Sequence, residues 1–348
     1  MPRVVGIDPG TVSLDLCGLH DGRLFLEASW PTADALADPG RLVELIRSAG
    51  PVDLVVGPSG YGLPLRRAAE TGEDDLRLAF LSRPGDPGGI GGLGRLARAL
   101  GTSGLPVVFI PGVVHLDTVP RHRKLNRADM GTADKVSAAA LAIHDQSARL
   151  GRAVEDVSLI LVELGGAFTA GVAIHRGQVV DGVGGTAGPI GWQSAGAWDG
   201  EVAFLAGEVT KADLFQGGIE TFLAGHPEWQ DEAVEAYAEG AARLVARLRL
   251  SAPEAQEVVL SGRRAGEAIR KRLGDLFGGE LALRSLTGFV PSAKQGAQGA
   301  AIIADGLAGG THRRLVERMR LREAAGTVLD NLFVISREEA RRRLGLDA

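Results

Sequence analysis

Six residues near the start of the chain, Gly6-Ile7-Asp8-Pro9-Gly10-Thr11, combine an apolar run, a carboxylate, a tight turn and a hydroxyl. A carboxylate at the end of a buried strand can sit beside phosphates and hold Mg²⁺ through its water shell, because Mg²⁺ keeps several waters and needs only one or two carboxylates. Asp8 is placed for that work. Gly10 lets the backbone approach phosphate oxygens, and Thr11 offers a hydroxyl and an N–H as donors. The same grammar recurs in Val162-Glu163-Leu164-Gly165-Gly166-Ala167-Phe168-Thr169. There Gly165 and Gly166 are the close-approach residues, Thr169 is a further donor, and Glu163 is a second candidate for Mg²⁺ or for orienting water. Lys135 can neutralise phosphate charge. Transfer of a phosphoryl group also needs positive groups around its equatorial oxygens. His115, Arg121, His122, Arg123 and Lys124 form the available pool, with Arg121 and His122 chosen from it; the same residues also read as a basic surface loop.

These residues need strands to aim them. Val4 to Asp8 reads as a buried strand, Leu14 to Leu19 resumes, Asp21-Gly22 is a hairpin signal, and Arg23 to Ser29 runs back. Leu159 to Glu163, Phe168 to Ile174, the turn His175-Arg176-Gly177 and Gln178 to Val183 repeat that order about 155 residues later. Helices are expected near Arg41–Ser48, Leu63–Leu81, Leu93–Leu100, Asp134–Leu150, Glu201–Ala206, Asp231–Leu248, Ala265–Leu273 and Ala293–Leu307, with a charged helical tail from His312. Buried strands are expected at Asp53–Val56, Pro106–Ile110, Glu257–Leu260 and Leu281–Ser285. Residues 111–133 read as irregular.

Taken together, this order resembles the sugar kinase, Hsp70 and actin superfamily. Gly6 to Thr11 is similar to its first phosphate motif, Val162 to Thr169 to the second, and Val258-Val259-Leu260-Ser261-Gly262 to its adenosine motif. Gly131-Thr132-Ala133-Asp134-Lys135 and Ala293 to Gly310 resemble its two connecting helices. The segment Val119 to Arg127, running into Met130 to Lys135, further resembles a mostly archaeal prokaryotic family labelled as predicted butyrate kinases, the domain of unknown function 1464.

The resemblance implies an α/β fold of two duplicated ribonuclease H-like (actin-like ATPase) domains, residues 1–130 and 131–348, with an interdomain nucleotide cleft. It implies ATP and Mg²⁺ as cofactors, Ser261 and Gly262 beneath the purine and ribose, and Asp134 facing the cleft as a catalytic residue; Asp134 equally reads as a first-turn helix acid. The activity implied is phosphoryl transfer to a small molecule, with a short-chain carboxylate as acceptor. The alternative is a nucleotide-responsive regulatory or binding protein of the same fold. A hydroxyl acceptor would instead need a carboxylate beside it, Asp134 or Asp199, whereas an acyl acceptor arrives ionised.

Composition narrows the classes. At 348 residues, 45% apolar and 23% charged, the chain is globular and long enough for two domains. Net charge of −5 gives no electrostatic footprint for nucleic acid or an anionic membrane. Cys17 is alone, which excludes a disulfide framework or a thiolate metal site. The chain starts directly with a strand and holds no long apolar run, so a cytoplasmic protein is expected, with a small-molecule substrate, no nucleic acid and no membrane; a homodimer is left open. Gly89 to Gly94 matches the spacing GxGxxG but follows no clear strand, and reads as a loop entering a helix, with a lid as one reading of it.

Overall fold

The computed structural model describes residues 1–83, 85 and 92–346, and in it the repeated strand pattern becomes two sheets of matching order. The first contains β1 (Arg3–Pro9), β2 (Ser13–His20), β3 (Arg23–Pro31), β4 (Leu54–Gly57), β5 (Arg66–Arg67) and β6 (Val107–Phe109), ordered β3-β2-β1-β4-β6-β5. The second contains β7 (Leu159–Leu164), β8 (Thr169–His175), β9 (Gln178–Val183), β10 (Glu257–Ser261) and β11 (Ala282–Ser285), ordered β9-β8-β7-β10-β11. Each is an antiparallel three-stranded meander extended by two parallel strands beyond its first strand, and the first sheet adds the two-residue β5 antiparallel to β6 at its edge. The two long hairpins turn alike. Asp21 and Gly22 carry φ of 55° and 69°, and Arg176 and Gly177 carry 50° and 73°. Positive φ at both central residues is what a type I′ turn demands, and its twist matches that of the flanking strands.

Two helices rich in small residues lie between the sheets, Ala133–Leu150 and Gln295–Leu307. They touch backbone to backbone: a Cβ on Gly299 would lie 1.8 Å from the carbonyl oxygen of Ser137. The second helix also packs on β1, β2 and β4, where a Cβ on Gly6 would fall 2.2 Å from the Ala301 nitrogen. One apolar core surrounds these helices. A second lies between the first sheet and helices Pro39–Ser48 and Leu93–Thr102, and a third between the second sheet and helices Gln230–Arg249 and Glu267–Phe277.

The expected helix over Leu63–Leu81 is only partly formed. Arg66 and Arg67 are drawn into the sheet opposite Phe109 and Val108, and the helix runs from Glu73 to Phe80. Gly62, at φ 100°, and Pro64 break the chain before it, and the Gly72 N–H donates to Asp75 Oδ2 at 3.1 Å to start the helix. Within 111–133 a short helix, Arg121–Lys124, stands in the segment expected to be irregular, and helix Ile219–Gly225 was not anticipated. Gly89, Ile90 and Gly91 of the GxGxxG match lie outside the described residues. Among the described residues no helix is long and apolar enough to cross a membrane.

Candidate functional site

The carboxyl ends of β1 and β7, the strands that begin each meander, open on one cleft of about 440 Å³. Its lining includes Asp8, Gly10 and Thr11 from the first half and Glu163, Gly165 and Gly166 from the second. The two turns are close neighbours: a Cβ placed on Gly166 would stand 3.5 Å from Val12 Cγ2. Asp134, Ser261 and Gly262 line the same space.

Asp8 is 7% exposed, and burial is the main cause that pushes its carboxyl up to about 7. The Lys294 ammonium pulls it down, the carboxylates of Asp134 and Glu163 push it up, and Lys135 pulls it down. No side chain among the described residues hydrogen-bonds or ion-pairs with it. It rests instead against Gly296, where a Cβ would come 2.5 Å from Oδ2. A buried carboxylate without a partner is costly, and a bound cation would offset that cost. The donor set therefore fits Mg²⁺ in its ordinary mode, one or two carboxylates with the remaining ligands from water and phosphate. No set of three or more His, Cys, Asp and Glu among the described residues could hold a metal by itself.

Lys135 ties the first small-residue helix to the second sheet. Its ammonium lies 2.6 Å from Asp134 Oδ2 and 2.9 Å from Glu163 Oε1, and the two carboxylates raise its pKa despite burial. Asp134 experiences the reverse. Burial would raise its pKa, but Lys135 and the Thr132 hydroxyl hold it below the ordinary carboxylate range.

The second turn is shaped by what lies next to it. The Gly165 N–H donates to Phe168 O at 2.9 Å, and Gly262, at φ 89°, lies so near that a Cβ would fall 2.3 Å from Leu164 O. Only glycine satisfies both conditions at 262. Ser261 is buried and its Oγ has no hydrogen-bond partner among the described residues, an orphan donor at the end where a ribose or base was expected. Thr169 is displaced from its expected role: it is fully buried as the first residue of β8, paired with Leu164, and does not line the cleft.

Arg121 and His122 are likewise not brought to the site. Both are exposed on the short helix Arg121–Lys124 and are absent from the cleft lining. The segment is anchored elsewhere, with Arg123 donating to Val180 O at 2.8 Å and Lys124 to Leu116 O at 2.7 Å. His115 is buried, and burial pushes it down to about 4, so it is a neutral core residue. The cations that do line the cleft are Lys135, Lys294 and Arg263. Sequence reading missed Lys294, Asp129 and Tyr61. Asp129 accepts from the Thr186 N–H at 3.0 Å, the Thr186 hydroxyl at 2.9 Å and the Gly131 N–H at 3.2 Å, fixing the loop after β9 on the cleft wall.

A family model described as "Protein of unknown function (DUF1464)" matches residues 6–334. The chain belongs to this family. No curated protein matches it in sequence. Among solved structures, a propionate kinase from Francisella tularensis subsp. tularensis SCHU S4 is similar, with a TM-score of 0.56 at 13% identity over 86% of this chain and 99% of that one. Acetate kinase from Entamoeba histolytica gives 0.54 at 11% identity, over 79% and 86% of the two chains. Porphyromonas gingivalis acetate kinase gives 0.51 at 14%, over 78% and 86%. At these identities the likeness shows the fold, which is the duplicated α/β architecture that the phosphate and helix motifs resemble.

Proposed function

We propose that the protein transfers the terminal phosphoryl group of ATP, with Mg²⁺, to a short-chain carboxylate held in the cleft between two halves, residues 1–130 and 131–348. The observation that carries this reading is the meeting of two glycine turns, one from each duplicated sheet, beside an unpartnered buried Asp8. Mg²⁺ would be held by Asp8 and Glu163 and would supply charge neutralisation to the phosphates. Gly10, Thr11, Gly165 and Gly166 would cradle the phosphates, while Ser261 and Gly262 would underlie the nucleoside.

Asp134 bears on the acceptor. A general base works best with a pKa near the operating pH, and Asp134 is held low by Lys135 and Thr132. It is a poor base for a hydroxyl acceptor. An ionised carboxylate needs no base, which favours the acyl reading. Val56, Pro58, Ile110, Phe168 and Phe215 offer apolar walls for a short alkyl chain. Lys211, whose ammonium stands 5.1 Å from the Tyr61 ring centroid, brings positive charge to that side.

A second reading, nucleotide-driven closure that signals to a partner without small-molecule transfer, is favoured by one observation: neither Arg121 nor His122 lines the cleft. ADP release measured with acetate, propionate and butyrate decides between them. Turnover stimulated by at least one of these acids and lost in Asp8→Ala is expected; nucleotide binding with no acid-stimulated turnover would leave the second reading in its place.

A further inference from the structure

Lys294 enters the cleft from the end of the second half, as the residue capping helix Gln295–Leu307. Its ammonium donates to the Ser13 carbonyl at 2.8 Å and stands 3.6 Å from Asp15 Oδ2. It lies directly on the first glycine turn: a Cβ built on Gly10 would fall 1.8 Å from Nζ. The same Ser13 carbonyl accepts the Gly10 N–H at 3.0 Å. One carbonyl oxygen thus holds both the backbone donor of the turn and the cation above it.

The other two cations of the cleft are placed differently. Lys135 is clamped between two carboxylates at 2.6 and 2.9 Å. Arg263 is exposed and lies beside Gly166, on the opposite turn. Lys294 is the one whose ammonium donates to a neutral carbonyl, with its nearest carboxylate oxygen, on Asp15, at 3.6 Å, and an anionic phosphate oxygen attracts an ammonium more strongly than a neutral carbonyl oxygen does.

Moving Lys294 would withdraw its charge from Asp15 and Asp8 while leaving the other hydrogen bonds of the turn in place. Asp15, 1% exposed, keeps the Ser13 hydroxyl at 2.8 Å, and the Ser13 carbonyl keeps the Gly10 N–H. Resting on the nucleotide reading above, we infer that Lys294 is a ligand of the phosphate chain of a nucleoside di- or triphosphate, exchanging Ser13 O for a phosphate oxygen lodged on the Gly10 turn. Its backbone begins the helix that packs without clearance on β1 and on helix Ala133–Leu150, through Gly6 and Gly299. A phosphate that recruits Lys294 therefore acts on the helix connecting the halves.

Calorimetric titration with ADP plus Mg²⁺, a non-hydrolysable ATP analogue plus Mg²⁺, and adenosine, on the wild type, Lys294→Met and Lys294→Arg, tests this. Met keeps the length and removes the charge; Arg keeps the charge. Lys294→Met is expected to weaken both phosphorylated ligands about tenfold or more and leave adenosine unchanged. Lys294→Arg is expected to recover most of that loss. Equal affinity of wild type and Lys294→Met for ADP, or a parallel loss of adenosine in both variants, would overturn the inference while leaving the nucleotide cleft standing. A wild type that binds none of the three would overturn the cleft reading and this inference with it.

Discussion

Asp8 carries the sharpest conflict between stability and chemistry in the molecule. Its carboxylate is buried, unpartnered among the described residues and pushed up to about 7 by that burial, with two further carboxylates nearby. Replacing it with Asn keeps the shape and removes the charge. Asp8→Asn is expected to melt about 2 °C or more above the wild type at pH 8 without magnesium, because an unpaired buried charge is lost. The same variant is expected to lose at least about a hundredfold in kcat. A scanning melt and a steady-state assay check the two halves, and a variant that is both less stable and fully active would contradict the role. His115 sets a different pH dependence. Burial holds it near 4 in the fold, below its ordinary 6.5, so the unfolded chain takes up a proton first as the pH falls. Its stability contribution is complete above about pH 6.5 and is lost as the pH falls toward 4. Urea midpoints at pH 7 and pH 5 should converge in His115→Gln relative to the wild type; an unchanged difference would show that another group titrates there.

The strands and hairpins that present these residues were readable because each has a local cause. Short apolar runs, buried along nearly their whole length, mark β1, β2, β7 and β8, and Asp21-Gly22 and Arg176-Gly177 mark the turns. The duplication itself was legible for the same reason. Helix Leu63–Leu81 was misread because the pull of Arg66 and Arg67 toward Phe109 is a tertiary pairing with no local sign. Of the site residues, Asp8, Glu163 and the glycines could be named from their place at strand ends. Lys294 could not: it stands 284 residues from Gly10 in sequence, the difference of the two numbers, and reads locally as one more polar residue before a small-residue helix. Arg121 and His122 were drawn in by their charge, whereas Arg123 and Lys124 anchor their segment against carbonyls. The small-residue helices make a prediction of their own. Gly299→Ala places a methyl on the Ser137 carbonyl with backbone on both sides, and should cost about 1–3 kcal/mol in urea unfolding. A cost near zero would mean that the two helices part more easily than their contact suggests.

The molecule as a whole is two sheets joined through a pair of helices, with further side-chain contacts between the segments that carry them. Glu208 of the second half reaches Arg83 of the first at 2.9 Å, and Lys211 reaches Tyr61. Both members of the Glu208–Arg83 pair are exposed, and such pairs contribute about 0–1 kcal/mol, too little to hold the halves in one arrangement against a bound ligand. Closure on nucleotide is thus expected to reduce the radius of gyration in solution scattering when a non-hydrolysable ATP analogue and Mg²⁺ are added, and an unchanged radius would argue against hinge motion. The most direct measurement is a crystal structure with that analogue and Mg²⁺. Its phosphates should lie between Asp8–Thr11 and Gly165–Gly166, with the metal on the Asp8 side and the nucleoside over Ser261–Gly262. Phosphates bound away from those two turns, or a cleft that stays empty at saturating analogue, would contradict it.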